Sequence, residues 1–152
     1  TGQHIFVSDE RNHVVNHIDH DGRATLICSG LRSPQGLAYA DEKLYICEAA
    51  GSCVTAVNLT KGIPTVRSVQ TFKAWEESRS LPSACFATPS SLFVASAAKH
   101  AVFQMDLRSE DIVVVAGTPG IAGNMKYSPC GDLGDATTAN LYSPSGLAVS
   151  EA

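Results

Sequence analysis

The chain has 152 residues, 44% of them hydrophobic and 17% charged, with a formal net charge of −4. This composition suits one domain with a real core and excludes a disordered polymer. The acidic balance disfavours general attachment to nucleic-acid phosphate, and no apolar run approaches the about 20 residues of a membrane-spanning helix.

Short stretches rich in Val, Ile, Leu and aromatics, bounded by turn residues, follow one another along the chain and read as strands. His4–Ser8, Val14–Asp19 and Ala24–Cys28 come first, the last two joined through Asp21-Gly22, a two-residue hairpin signal. Gly36–Ala40, Lys43–Cys47, Cys53–Leu59 and Thr65–Phe72 follow, with Lys61-Gly62 at the corresponding turn. Phe72–Arg79 comes nearest to helical periodicity, enough for one or two turns in a connection. Ala84–Ala87, Ser91–Ala95, Ala101–Leu107 and Asp111–Ala116 form a third group, with Arg108–Glu110 in its last turn. A Gly-rich stretch then leads to Leu147–Ser150.

These groups are copies of one cassette. Ser33-Pro34-Gln35-Gly36-Leu37-Ala38, Leu44-Tyr45-Ile46 and Cys53–Leu59 make the first copy. Leu81-Pro82-Ser83, Leu92-Phe93-Val94 and Ala101–Leu107 make the second. Ser143-Pro144-Ser145-Gly146-Leu147-Ala148 opens a third, whose remainder stands at the other end of the chain in Ile5-Phe6-Val7 and Val14–Asp19. A repeat that closes only by joining the C-terminus to the N-terminus is the mark of a ring. Consecutive apolar residues, as in Ile112-Val113-Val114-Val115, suit strands buried on both faces, and stacked propeller blades bury both faces of their sheets. The expected fold is therefore all-β, a β-propeller with three four-stranded blades in one domain. The blades are 33–72, 81–116 and a split one built from 143–152 and 1–30, with 117–142 as a long connection.

The residues also resemble a known family. The Pro-x-Gly-Leu-Ala opening, the aromatic-aliphatic second strand, the acidic residue after it and an Asn-His pair before the third strand are similar to NHL-repeat β-propellers. Val7-Ser8-Asp9-Glu10-Arg11-Asn12-His13-Val14-Val15 carries the resemblance best. The run from Ala116-Gly117-Thr118-Pro119-Gly120 through Gly131-Asp132 to Ser143-Pro144-Ser145-Gly146 resembles an inter-blade connection of some NHL proteins. The copies depart from it at Gly51-Ser52 and Lys99-His100, where Asn-His is usual, and at Cys130. The resemblance implies a six-bladed ring, so three blades would be half of one. Two chains are expected to pair about a two-fold axis as a homodimer, each chain's Leu147–Ser150 completing the blade begun by the other's His4–Ser8. The rival is a longer protein of which this chain is a piece, in keeping with Thr1 rather than Met at its start.

Cys28, Cys47, Cys53, Cys85 and Cys130 are odd in number and lack metal-ligand spacing. Reduced, mostly buried thiols are expected, with a cross-strand Cys47–Cys53 disulfide as the alternative. Asn58-Leu59-Thr60 is a glycosylation sequon that matters only in a secreted protein. Localisation is left open, with a lean towards an intracellular home.

Strand parity sorts the loops into two faces. Asp19, Asp21, Asp41, Glu42, Asp106, Glu110, Asp111 and Glu151 outnumber Arg23, Lys43, Lys61 and Arg108 and make one face acidic, while the other mixes both signs and holds the long loops. Loops on a rigid scaffold, aromatics and Arg favour binding. The candidate binding residues are therefore Arg11, His13, Arg32, Trp75, Arg79, Lys99, His100, Tyr127 and Tyr142 on the mixed face. The plain alternative is that these are solvated loop residues. His17 shares a strand side with Val15 and is expected to pack between blades, so His13 and His17 are no zinc pair. Asp9, Glu48 and Ser96 occupy equivalent positions after the second strand. They would either line the channel and take a cation such as calcium or accept hydrogen bonds from loop amides. No phosphate loop and no nucleophile motif is present, so no catalytic residue, metal ligand or cofactor is assigned. The expected function is a non-catalytic scaffold that binds a protein or peptide. A metal-dependent propeller hydrolase or lyase is the alternative, and RNA binding is disfavoured by the charge.

Overall fold

The computed structural model describes residues 4–60, 63–72, 81–123 and 134–150. Among these described residues, eleven strands form three antiparallel sheets. The first is β1 (Ile5–Asp9), β2 (Val14–Ile18) and β3 (Ala24–Ser29), in that order. The second is β4 (Pro34–Ala40), β5 (Lys43–Glu48), β6 (Cys53–Thr60) and β7 (Ile63–Phe72). The third is β8 (Pro82–Ala87), β9 (Ser91–Ser96), β10 (Ala101–Asp106) and β11 (Ile112–Ala116). Each sheet is an up-and-down meander of the expected blade type, and one 3-10 turn, Ala136–Thr138, follows β11.

The blades stack face to face, with β4 against β8 and β1 against β4. The inner strands approach closely enough that a Cβ on Gly36 would stand 2.5 Å from the Ala84 Cα, which is why that position carries no side chain. Two apolar layers result. One lies between the first and second blades and includes Val15, Ile27, Leu44, Ile46 and Val57, with Phe6 and Leu37 packed on it. The other lies between the second and third and includes Tyr45, Cys47, Val54, Leu92, Val94 and Met105. Successive residues of β5 point to opposite layers, so Leu44, Tyr45, Ile46 and Cys47 are all buried. This is the physical reason a sandwiched blade reads as an unbroken apolar run.

Every copy bends its backbone at the same places. His13, Ser52 and His100 before the third strand, and Ser33, Leu81 and Ser143 at entry to the first, all have positive φ, a conformation uncommon outside glycine. The Asp41-Glu42 turn between β4 and β5 has positive φ at both residues, as a two-residue hairpin that follows strand twist requires.

Leu147–Ser150, the expected inner strand of the split blade, has no strand partner within the single arc, so among the described residues the first sheet has three strands. The chain entering this stretch is held to the third blade: Ser83 Oγ donates to the Pro144 carbonyl at 2.8 Å and Ser143 N donates to His100 at 3.0 Å. Cys28, Cys47, Cys53 and Cys85 are free thiols, three of them buried, as expected, and the alternative Cys47–Cys53 disulfide is not formed. The register pairs Cys47 with Val54 and Glu48 with Cys53. Side chains alternate along a strand, so the two sulfurs stand on opposite faces of the sheet. Cys47 instead faces the Cys85 thiol of the third blade, whose hydrogen bond, together with burial, pushes the Cys47 thiol up. The expected helical turns after Phe72, and Lys61-Gly62, lie outside the described residues.

Candidate functional site

The loop face is built from turns that one blade lends to the next. Asp9 ends β1 and accepts from the Asn12 backbone N at 3.0 Å and from its Nδ2 at 2.8 Å. These bonds hold its carboxyl below the usual carboxylate range. Glu10 accepts from the Ser33 hydroxyl and from Gln35 Nε2, and those bonds lower it in turn. Glu48, only 6% exposed, accepts from Arg32 N at 2.7 Å and from the Thr55 hydroxyl. Ser96 Oγ accepts from Lys99 N at 3.2 Å. The equivalent positions Asp9, Glu48 and Ser96 thus serve loop amides, each within or beside its own blade. Among the described residues no three His, Cys, Asp or Glu side chains converge on a point that would hold a metal.

His13 and His100 have matching partners. His13 Nδ1 accepts from Ser33 N at 3.4 Å, and His100 Nδ1 accepts from Ser143 N at 3.0 Å. Each histidine latches the start of the following blade, and such a bond requires the ring proton on Nε2. The Tyr142 ring stacks on His100 with centroids 5.6 Å apart, yet Tyr142 is 74% exposed.

Of the expected binding residues, Arg11, His13, Arg32 and Tyr142 are exposed on this face, and Lys99 and His100 are half-buried. Arg32 leans over the neighbouring turn, its Nη2 at 3.5 Å from the Gly51 carbonyl. The ion pairs among the described residues are those of Asp21 with His20 and Arg23, on the opposite face. Among the described residues Arg11, Arg32 and Lys99 thus form no ion pair, and Arg11 and Arg32 are exposed. Two groups form, one around Arg11, His13 and Arg32, the other around Lys99, His100 and Tyr142. Trp75, Arg79 and Tyr127 lie outside the described residues.

Sequence reasoning missed a cleft of about 390 Å³ on the acidic face, between the second and third blades. Asp41, Lys43, Tyr45, Ser90, Asp106 and Arg108 are among its lining. The Tyr45 ring is buried, and burial followed by the Asp41 charge raises its hydroxyl. Asp106 is spent on the Arg108 and Ser109 amides, which hold its carboxyl low. The lining comes from turns far apart in sequence, so no local motif announces it.

His17 packs between blades as expected, 5% exposed. His4 Nδ1 stands 2.9 Å from its Nε2, and the Phe6 ring lies 5.5 Å away, centroid to centroid. Burial, and then the neighbouring His4, hold His17 below the ordinary imidazole value.

No family model and no curated protein matches the chain. Solved structures do. A luciferin-regenerating enzyme superposes with a TM-score of 0.57 at 15% identity, covering 71% of this chain and 38% of its own. A chain of the nidogen–laminin complex gives 0.57 at 17% identity, covering 74% and 41%. Virginiamycin B lyase from Staphylococcus aureus gives 0.56 at 14% identity, covering 73% and 36%. The chain thus spans well under half the length of these proteins, which are of propeller type. At such identities the likeness reports fold and not chemistry: this chain is an arc of a β-propeller.

Proposed function

We propose that the chain is a non-catalytic recognition module, a propeller of NHL type that binds a protein or peptide through its loop face. The observation that carries this reading is the disposition of charge there. Asp9, Glu10 and Glu48 are occupied by hydrogen bonds from neighbouring loops. Arg11, Arg32, Lys99 and the exposed ring of Tyr142 have no ion-pair partner among the described residues. Exposed guanidinium groups in one cluster, and a lysine with an exposed aromatic in the next, favour an acidic stretch of a partner laid across both on a rigid frame. The NHL reading draws support from the His13 latch, which gives the Asn-His signature a mechanical task between blades.

The test is a peptide array probed with the purified chain, followed by affinity measurement on the best acidic peptides. Arg11→Glu with Arg32→Glu should weaken binding at least tenfold, and Lys43→Glu with Arg108→Glu on the acidic face should leave it unchanged. Equal binding by both double variants would sink the reading.

A further inference from the structure

The arc has two open ends, and the repeat shows what each lacks. Phe6 of the first blade packs on the layer holding Leu44 and Ile46 of the second. Tyr45 of the second packs with Leu92 and Val94 of the third. Phe93 is the next aromatic in that series and stands on the outer face of the third blade, which no further blade covers among the described residues. Ile5 and Val7 are the matching aliphatic pair, on the outer face of the first blade. Ile5 and Val7 are 55% and 44% exposed, whereas their counterparts Leu44, Ile46, Leu92 and Val94 are 1%, 0%, 0% and 0% exposed. By register, Leu26 shares the face of Val7 and Val113 shares the face of Phe93. They are 57% and 56% exposed.

The backbone tells the same story. In the second blade Leu37, Ala38 and Tyr39 pair with Ile46, Tyr45 and Leu44. In the third, Cys85, Phe86 and Ala87 pair with Val94, Phe93 and Leu92. The equivalent residues of the split copy are Leu147, Ala148 and Val149 against Val7, Phe6 and Ile5. Entry to the first three is already set, since Ser143 is latched to His100 as Ser33 is to His13, with φ 47° against 57°. Gly146 corresponds to Gly36, yet a Cβ there would meet nothing within 4 Å.

We propose that the two ends are halves of one interface, filled by a second copy of this chain. Phe93 of one copy seats on Ile5 and Val7 of the other, and Leu147-Ala148-Val149 adds to β1 of the other copy as an antiparallel strand against Val7-Phe6-Ile5. A two-fold axis makes this contact twice and closes a ring of six blades, within the usual range of about four to eight. The second copy fits because the chain already makes this interface twice within itself, with the same side-chain classes at the same register. Closure also removes the free edge of β1 and its exposed aliphatic face, both hazards for aggregation. The inference is independent of the recognition reading, which concerns the loop face and would stand or fall by peptide affinity.

Light scattering on the eluting chain at tens of micromolar should give twice its 16.0 kDa mass. Val7→Lys, at a half-exposed position of the arc, should yield the single-chain mass with an unchanged circular dichroism spectrum. Ile5→Cys with Val149→Cys should form a covalent dimer under mild oxidation, which neither single variant does. A single-chain mass for the parent protein, or a dimer that Val7→Lys leaves intact, would overturn the proposal.

Discussion

At the scale of single residues, the loop histidines show how a side chain's role depends on a partner supplied by the next blade. His13 and His100 stand in exposed loops and read in sequence as candidates for ligand contact. Their Nδ1 atoms are already engaged by the Ser33 and Ser143 amides, partners no local motif could reveal. His17 was legible, because the strand period puts it beside Val15. Its depressed proton affinity has a consequence for stability. Below the ordinary imidazole value of about 6.5, the unfolded chain takes up a proton that the folded chain refuses, so stability falls as pH drops through that value and is unaffected above it. Asp9, Glu10 and Asp106, held low by hydrogen bonds, lose their contribution only at lower pH. The urea midpoint should therefore decrease between about pH 7.5 and about pH 5.5, and His17→Gln should flatten that slope. An identical slope in the variant would contradict the assignment.

At the scale of elements, the strands were legible because the period of two, the turn residues and the cassette agree with one another. The sandwiched β5 reads as Leu44-Tyr45-Ile46-Cys47, and each of these is buried. Two features were not legible. The side of the sheet on which Cys53 falls depends on a one-residue register, which sequence leaves open. The unpaired state of Leu147–Ser150 depends on where the third blade ends in space. The tight approach of β4 and β8 gives a prediction at this scale. Gly36→Ala places a methyl against the Ala84 backbone and should cost about 1–3 kcal/mol, the usual range for overpacking, read as a lowered urea midpoint. Gly146→Ala, in open space, should leave the single arc's stability unchanged and weaken the pairing of copies instead.

At the scale of the whole molecule, the arc has two faces of different character. The loop face offers cations without an ion pair among the described residues and an exposed tyrosine, and the opposite face holds a polar cleft that the sequence did not announce. Strand parity sorted these cations and the tyrosine onto one face, since parity needs only strand order. It could not find the cleft, since a cleft is made by the distance between blades. The repeat gives the exposed pair at one end its counterparts: Ile5 and Val7 correspond to Leu44 and Ile46, which are buried inside the arc. The central claim is that Leu147–Ser150 is the inner strand of the split blade, completed across two copies. Hydrogen exchange tests it most directly. The Leu147 and Val149 amides should be protected to the same order as the Leu37 and Tyr39 amides, and should lose that protection in Val7→Lys. Rapid exchange across Leu147–Ser150 in the parent chain, with Leu37 and Tyr39 protected, would contradict it.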